Sequence, residues 1–213
     1  MAISPVTIRG GLVLLDPATS QLLRVITLQY NPDSLTRTLQ IKGGGQESGD
    51  HIEVLRLKGP PIESIKLEAE IDATDQLAAG DSQAIKLGIH PQLAALETMV
   101  YPSSQTLLTN NSSASSGNIE IAPVEAALTL FVWSKNRIVP VRITDLAITE
   151  EAFDPALNPI RAKVSLGMRV LTVDDLGFDN KGGNLFMSYL QQKEQLATMV
   201  AGSLDALGIK GNP

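Results

Sequence analysis

No cysteine occurs in the 213-residue chain. That excludes disulfides, thiolate metal ligands and a cysteine nucleophile, and it suits a cytosolic origin. Aromatic residues are scarce, at 4% with a single Trp, while the apolar fraction is 43%. A core must therefore be built mostly from Leu, Ile, Val and Ala. Basic residues are outnumbered, 17 Lys and Arg against 23 Asp and Glu, for a net charge of −6. Such a chain lacks the basic footprint of sequence-independent nucleic-acid binding, and anionic membrane surfaces repel it in the same way. No apolar run approaches the ~20 residues of a membrane helix. The opening residues, Met1 to Gly11, have neither the basic nor the apolar region of a signal peptide, so none is expected. At this length one domain with room for an appendage is expected.

What the chain does have is alternation, and it is cleanest between Ile138 and Leu171. Ile160, Ala162, Val164, Leu166, Met168 and Val170 alternate with Arg161, Lys163, Ser165, Gly167, Arg169 and Leu171. A period of two over that length is a β-strand with one apolar face. Upstream, Val139, Val141 and Ile143 alternate with Pro140, Arg142 and Thr144. The two arms predict a long antiparallel hairpin around an acidic loop, Glu150 to Pro159, punctuated by Asp154-Pro155 and Asn158-Pro159. A lone hairpin is not stable in water, so further strands must cover its apolar face. One is Ile62 to Ile71, with Ile65, Leu67, Ala69 and Ile71 on one side and Ser64, Lys66, Glu68 and Glu70 on the other.

The remaining segments read as shorter elements. Thr7 to Leu15 and Leu22 to Gln29 are strand-like about an Asp16-Pro17 turn. Thr36 to Ile41, Ile52 to Leu57 and Pro123 to Trp133 are further strands, with Gly43 to Asp50 as a flexible loop. Asp72 to Lys86 reads as a loop with at most a helical turn. Gln92 to Val100 is a short amphipathic helix, with Pro91 in its first turn and Pro102 stopping it. Tyr101 to Asn118 is Ser- and Asn-rich and reads as a mobile exposed loop. Lys181-Gly182-Gly183 reads as a hinge, followed by a helix capped by Asn184 and running to about Leu207. Leu185, Tyr189, Leu196, Val200 and Leu204 form its apolar stripe, which either packs on the β-domain or is reserved for a partner.

Catalytic chemistry is hard to find. Gly43-Gly44-Gly45 is followed by no Lys-Ser or Lys-Thr, which excludes a phosphate loop. His51 and His90 have no companion metal ligands at suitable spacing. No Gly-x-Ser-x-Gly or dinucleotide fingerprint occurs. Lys66, Glu68 and Glu70 are explained by a solvated or subunit-facing strand. Trp133 is expected to anchor a core or an interface. No catalytic, cofactor or metal residue is assigned, and an enzyme is the weaker class.

Three blocks of residues resemble the tube-like baseplate proteins of contractile injection systems, phage-tail-derived particles. The first is Leu28-Gln29-Tyr30-Asn31-Pro32-Asp33-Ser34-Leu35. The second is Leu55 to Pro61, leading into Ile65 to Asp72. The third runs from Phe131-Val132-Trp133 through Val139 to Arg142, Ile148 to Pro155 and Leu157 to Ala162 to Val170-Leu171. The resemblance spans roughly residues 5 to 175. Members often carry a C-terminal LysM peptidoglycan-binding module; none is recognised after residue 175, where a hinge and helix are expected instead.

The resemblance implies a mainly β fold, a tail-tube-like antiparallel barrel or sandwich with one short internal helix and a C-terminal helix. Residues 1–175 would form the tube-like domain, with the mobile loop at about 102–118, and 176–213 the hinge and helical extension. It further implies a hexameric ring joining the central spike to the inner tube, beside other baseplate proteins, assembled in the bacterial cytoplasm without a cofactor. A tube terminator and a free-standing ligand-binding β-module remain alternatives. Glu150, Glu151, Phe153, Asp154 and Asn158 are the candidate ring-stacking residues. Reversing the charge of Glu150, Glu151 and Asp154 together is expected to abolish full-length particles, scored by electron microscopy, while circular dichroism of the subunit stays unchanged.

Overall fold

The computed structural model describes residues 8–43, 57–115, 126–200, 202–203 and 205–208. The fold is mainly β. Seven strands, β1 (Gly11–Leu15), β2 (Leu22–Thr27), β3 (Leu35–Gln40), β4 (Ile62–Asp72), β5 (Leu128–Ser134), β6 (Arg137–Phe153) and β7 (Pro159–Val170), form one antiparallel sheet. Their order is β2-β1-β5-β6-β7-β4-β3.

The predicted hairpin is its centre. β7 pairs with β4 from Ser64↔Arg169 to Asp72↔Arg161 and with β6 from Val141↔Val170 to Phe153↔Pro159. Alternation sets the register, because a slip of one residue would turn every apolar side chain to the wrong face. Ala162, Val164, Leu166, Met168 and Val170 are all buried. Ile65, Leu67, Ala69 and Ile71 of β4 are buried beside them. Each of the larger side chains, Val, Leu, Ile or Met, contributes roughly 1.5–3 kcal/mol. Lys135 and Asn136 form a tight connection between β5 and β6.

The sheet curls until the end of β2 meets the end of β4. There the Gln29 side-chain amide acts as a ladder residue. Its Nε2 donates to the Asp72 carbonyl at 2.7 Å, and its Oε1 accepts from the Asp72 N–H at 2.9 Å. The seam of this barrel-like sheet is covered by a short helix, α3 (His90–Glu97), whose Leu93 and Leu96 enter the main hydrophobic cluster. Arg24 of β2 ties the seam to α3 through the Ala95 carbonyl and the Thr98 hydroxyl.

Helices depart most from expectation. Where a loop with at most a helical turn was expected after Ile71, two short helices, α1 (Thr74–Ala78) and α2 (Ser82–Leu87), form. α2 is capped by Asp81, which accepts from the Gln83 and Ala84 N–H groups. α3 begins and ends earlier than the predicted Gln92 to Val100, with Pro91 in its first turn as expected. The described part of the Ser/Asn-rich segment is largely exposed, but Ser104–Ser115 is a helix, α4, rather than a loop. Ser103 starts it by accepting from the Thr106 N–H. Among the described residues four helices therefore lie between β4 and β5, not one.

After β7 come α5 (Val173–Leu176) and α6 (Lys181–Ala197). The expected glycine hinge is not one. Asn180 rather than Asn184 caps α6, and Gly182 and Gly183 are buried in its first turn. Their lack of a side chain allows contact: a Cβ on Gly183 would overlap the Gly177 carbonyl. α6 also stops short of Leu207. Asp205–Leu207 is a separate 3-10 turn, and Leu204 lies outside the described residues. The strand expected at Ile52 to Leu57 also lies outside them, except that Leu57 bridges Gly43. His51 and most of the Gly43 to Asp50 loop are likewise not described.

Gly183→Ala should therefore destabilise the fold by about 1–3 kcal/mol through overpacking. It does so despite alanine's higher helix propensity. Gly202→Ala, with open space around it, should be near neutral. Thermal unfolding followed by circular dichroism compares the two.

Candidate functional site

The candidate stacking residues lie at the tip of the β6–β7 hairpin, and the structure divides their roles. Glu150, Glu151 and Phe153 belong to β6, so the loop proper is only Asp154 to Asn158. Asp154 organises that turn instead of presenting a free charge. Its Oδ1 accepts from the Ala156 and Asn158 N–H groups at 2.7 and 2.8 Å, and its Oδ2 from Asn158 Nδ2 at 2.8 Å. The Asn158 side-chain bond first, then these backbone bonds, hold its carboxyl below the usual range. Glu151 is half-buried and pairs with Lys163 at 3.2 Å. Glu150 is exposed, and so are Phe153 and Leu157, on either side of the turn. Ala152 and Leu157 hold left-handed backbone angles, φ 53° and 65°, which is strained for side-chain-bearing residues. The base of the tip is braced by α2 and α3. The Ile89 N–H donates to the Pro159 carbonyl at 2.9 Å, and Gly88, at φ 54°, lies against that same carbonyl.

The tail-helix residues separate into two groups. Tyr189 is buried, and Leu185 packs against a second apolar cluster with Leu128 and Leu130. Leu196 is partly and Val200 largely exposed, the latter at 80%. One end of the stripe therefore serves the chain's own core and the other faces solvent.

A charged residue that periodicity alone passed over secures α6. Glu63 lies in register with Ile65 and Leu67 on the apolar face of β4 and is 3% exposed. Its Oε1 accepts from the Tyr189 hydroxyl at 3.2 Å, and its Oε2 from Lys193 Nζ at 3.0 Å. Arg37 of β3 adds a looser ion pair at 3.6 Å and donates to the Tyr189 oxygen. Lys193 also sits 4.0 Å above the Tyr189 ring. A carboxylate placed at an apolar-phase position was the signal, since burial without partners would be prohibitive.

Two strand edges have no further partner among the described residues. There, Arg142 to Phe153 of β6 pairs only with β7, because β5 stops pairing at Val141. β3 ends the sheet on the far side of β4. Trp133 is half-buried and stacked on Phe131 at 5.9 Å between ring centres. It packs against the main cluster, as an anchor does. Among the described residues no group of three or more His, Cys, Asp or Glu could hold a metal ion, and no helix is long and apolar enough to cross a membrane.

No family model matches the chain, and no curated protein matches it. Among solved structures it is similar to a chain of the anti-feeding prophage baseplate, determined by cryo-electron microscopy with sixfold symmetrisation. The identity is 15%, over 80% of this chain and 94% of that one, with a TM-score of 0.25.

Carboxylates set the acid response. Burial pushes the Asp175 carboxyl up, but bonds from Thr172 and the charge of Arg169 outweigh it and leave it lowered. Asp72 is lowered chiefly by a Thr74 side-chain bond, with Arg161 adding to it. A lowered folded pKa gives stability that is present above the unfolded carboxylate value, about 4. That stability is lost as pH falls through the folded value. The melting temperature should fall on acidification below about pH 4. Asp175→Asn should lower it at neutral pH and flatten that acid limb in a pH series of thermal melts.

Proposed function

We propose that the chain is a structural ring subunit of a contractile injection particle, an adaptor in the baseplate between the central spike and the inner tube. The observation that carries the reading is the layer β6-β7-β4-β3, in which β3 and the Arg142 to Phe153 part of β6 have no second strand partner among the described residues. An open edge presents unpaired N–H and C=O groups and is a template for another strand. Two different edges on one chain make a heterologous contact, which closes into a ring when the rotation fits. β3 of one copy would pair with the upper half of β6 in the next. The sequence blocks that resemble tube-like baseplate proteins supply the expected number, six, and the partners: inner tube, central spike and other baseplate proteins.

In such a ring the β6–β7 tip projects at the end of the longest hairpin. Glu150, Phe153 and Leu157 would meet the neighbouring ring, with Asp154 and Asn158 shaping the turn. A free-standing ligand-binding module is disfavoured by Trp133, which stacks on Phe131 and packs into the core instead of forming an open platform.

Light scattering across a concentration series should give about six times the 22.7 kDa chain mass, alone or once spike and tube proteins are added. Leu39 and Ile41 are exposed along the β3 edge. Replacing both with Lys should reduce the assembly to monomer without altering the circular dichroism spectrum. A chain that stays monomeric at every concentration, even with spike and tube proteins present, would overturn the reading.

A further inference from the structure

β3 is poorly held by the sheet alone. It pairs with β4 and, among the described residues, with no other strand. Leu35 is half-buried and the rest of the strand is exposed. A strand with one partner and little buried apolar surface belongs to the low end of local stability. Yet a neighbouring strand can add to its outer edge only if the β3 backbone stays extended and in register.

Two basic side chains supply further hold, and both lead to the C-terminal helices. Arg37 stands opposite Ile65, on the apolar face of the sheet. It donates from Nη1 to the Tyr189 hydroxyl of α6 at 3.2 Å and pairs with Glu63 at 3.6 Å. The Tyr189 hydroxyl in turn donates to Glu63 Oε1 at 3.2 Å, and Lys193 Nζ donates to Oε2 at 3.0 Å. Glu63 is buried, so solvent screens these contacts less than it would at the surface. Lys42, just past the end of β3, pairs with Asp174 of α5 at 3.0 Å. That second tie is more exposed and therefore weaker. α5 and α6 are joined by close packing: Leu176 Cδ1 lies against Gly182, and the Gly177 carbonyl against Gly183.

We infer that α5 and α6 together are a clasp on the sheet edge. Docked, they hold β3 through Arg37 and Lys42 in the geometry that a neighbouring strand needs. Released, they leave β3 to fray, and the edge no longer pairs. Tyr189 is the central positioning residue, because its hydroxyl stands between the Arg37 guanidinium and the Glu63 carboxylate. The C-terminal extension thereby acts within its own subunit. The consequence for assembly rests on the reading that β3 pairs with the next copy, whereas the hold on β3 does not.

Tyr189→Phe tests the clasp, since it removes one hydroxyl and keeps the ring beneath Lys193. Amide hydrogen exchange of the full chain is followed over β3 and over β7. Leu96→Ala, which thins the core under α3, is the control for a general loss of stability. Tyr189→Phe should speed β3 exchange on the order of tenfold more than β7 exchange, and Leu96→Ala should show no such preference for β3. Arg37→Met should add less in the Tyr189→Phe background than in the wild type, because the two remove one link. Exchange in β3 that only keeps pace with β7, or a Leu96→Ala variant that loosens β3 as selectively, would overturn the inference. Light scattering with spike and tube proteins reads the consequence: the Tyr189→Phe chain should need roughly tenfold higher concentration to assemble. Selective loosening of β3 with assembly unchanged would also overturn the inference and leave the ring standing. A wild-type chain that never assembles would sink the ring reading, while the exchange ratio alone would still decide the clasp.

Discussion

β7 is paired on both sides along nearly all of its length, by β4 and by β6, and its alternate side chains are sealed in the core. The rest of the architecture depends on that double pairing. A backbone satisfied on both edges can be buried, because no N–H or C=O loses its partner. Its apolar face then fixes the phase of both neighbours, since cross-strand partners must share a face. β6 and β4 are held in register by β7, and the shorter strands add outward from them. The hairpin tip therefore extends from the doubly paired strand β7.

Polar groups close what the ladder leaves unfinished. Gln29 completes the seam with two hydrogen bonds to Asp72. Glu63 gathers Tyr189, Lys193 and Arg37 under α6. Asp154 holds a turn containing a left-handed Leu157. In each case one side chain makes several bonds, so that its desolvation is offset. These residues look like surface charge and amides in the sequence. They act as joints because of what the fold brings within 3 Å or so of them. A charge at the hairpin tip consequently need not be a contact residue: Asp154 shapes the backbone, Glu151 pairs locally with Lys163, and Glu150 remains exposed.

The same distinction runs through the helices. Propensity made α4 look like a loop, because Ser, Thr and Asn compete with the helix for backbone bonds. Here those side chains bond back to carbonyls of the helix itself, leaving the ladder intact. Two adjacent glycines suggested a hinge because glycine is the most permissive residue. Their use at Gly182 and Gly183 is the reverse, close packing of the first turn of α6 against the Gly177 backbone. Sequence patterns record conformational freedom. They do not record whether a distant neighbour such as Leu128 or a near one such as Gly177 makes use of the missing side chain.

What the sequence determined by itself was local and periodic. It determined the mainly β class, the long β6–β7 hairpin, the buried faces of β4 and β7, and the exclusion of thiol chemistry. These follow from side-chain alternation and composition, which need no knowledge of distant contacts. Tertiary structure alone decided the strand order and the curl that brings β2 to β4. It also decided the burial of Glu63 and the division of the tail stripe between core and solvent. Those depend on which faces meet in space, and a pairing between residues such as Glu63 and Lys193, far apart along the chain, leaves no periodic trace in either segment.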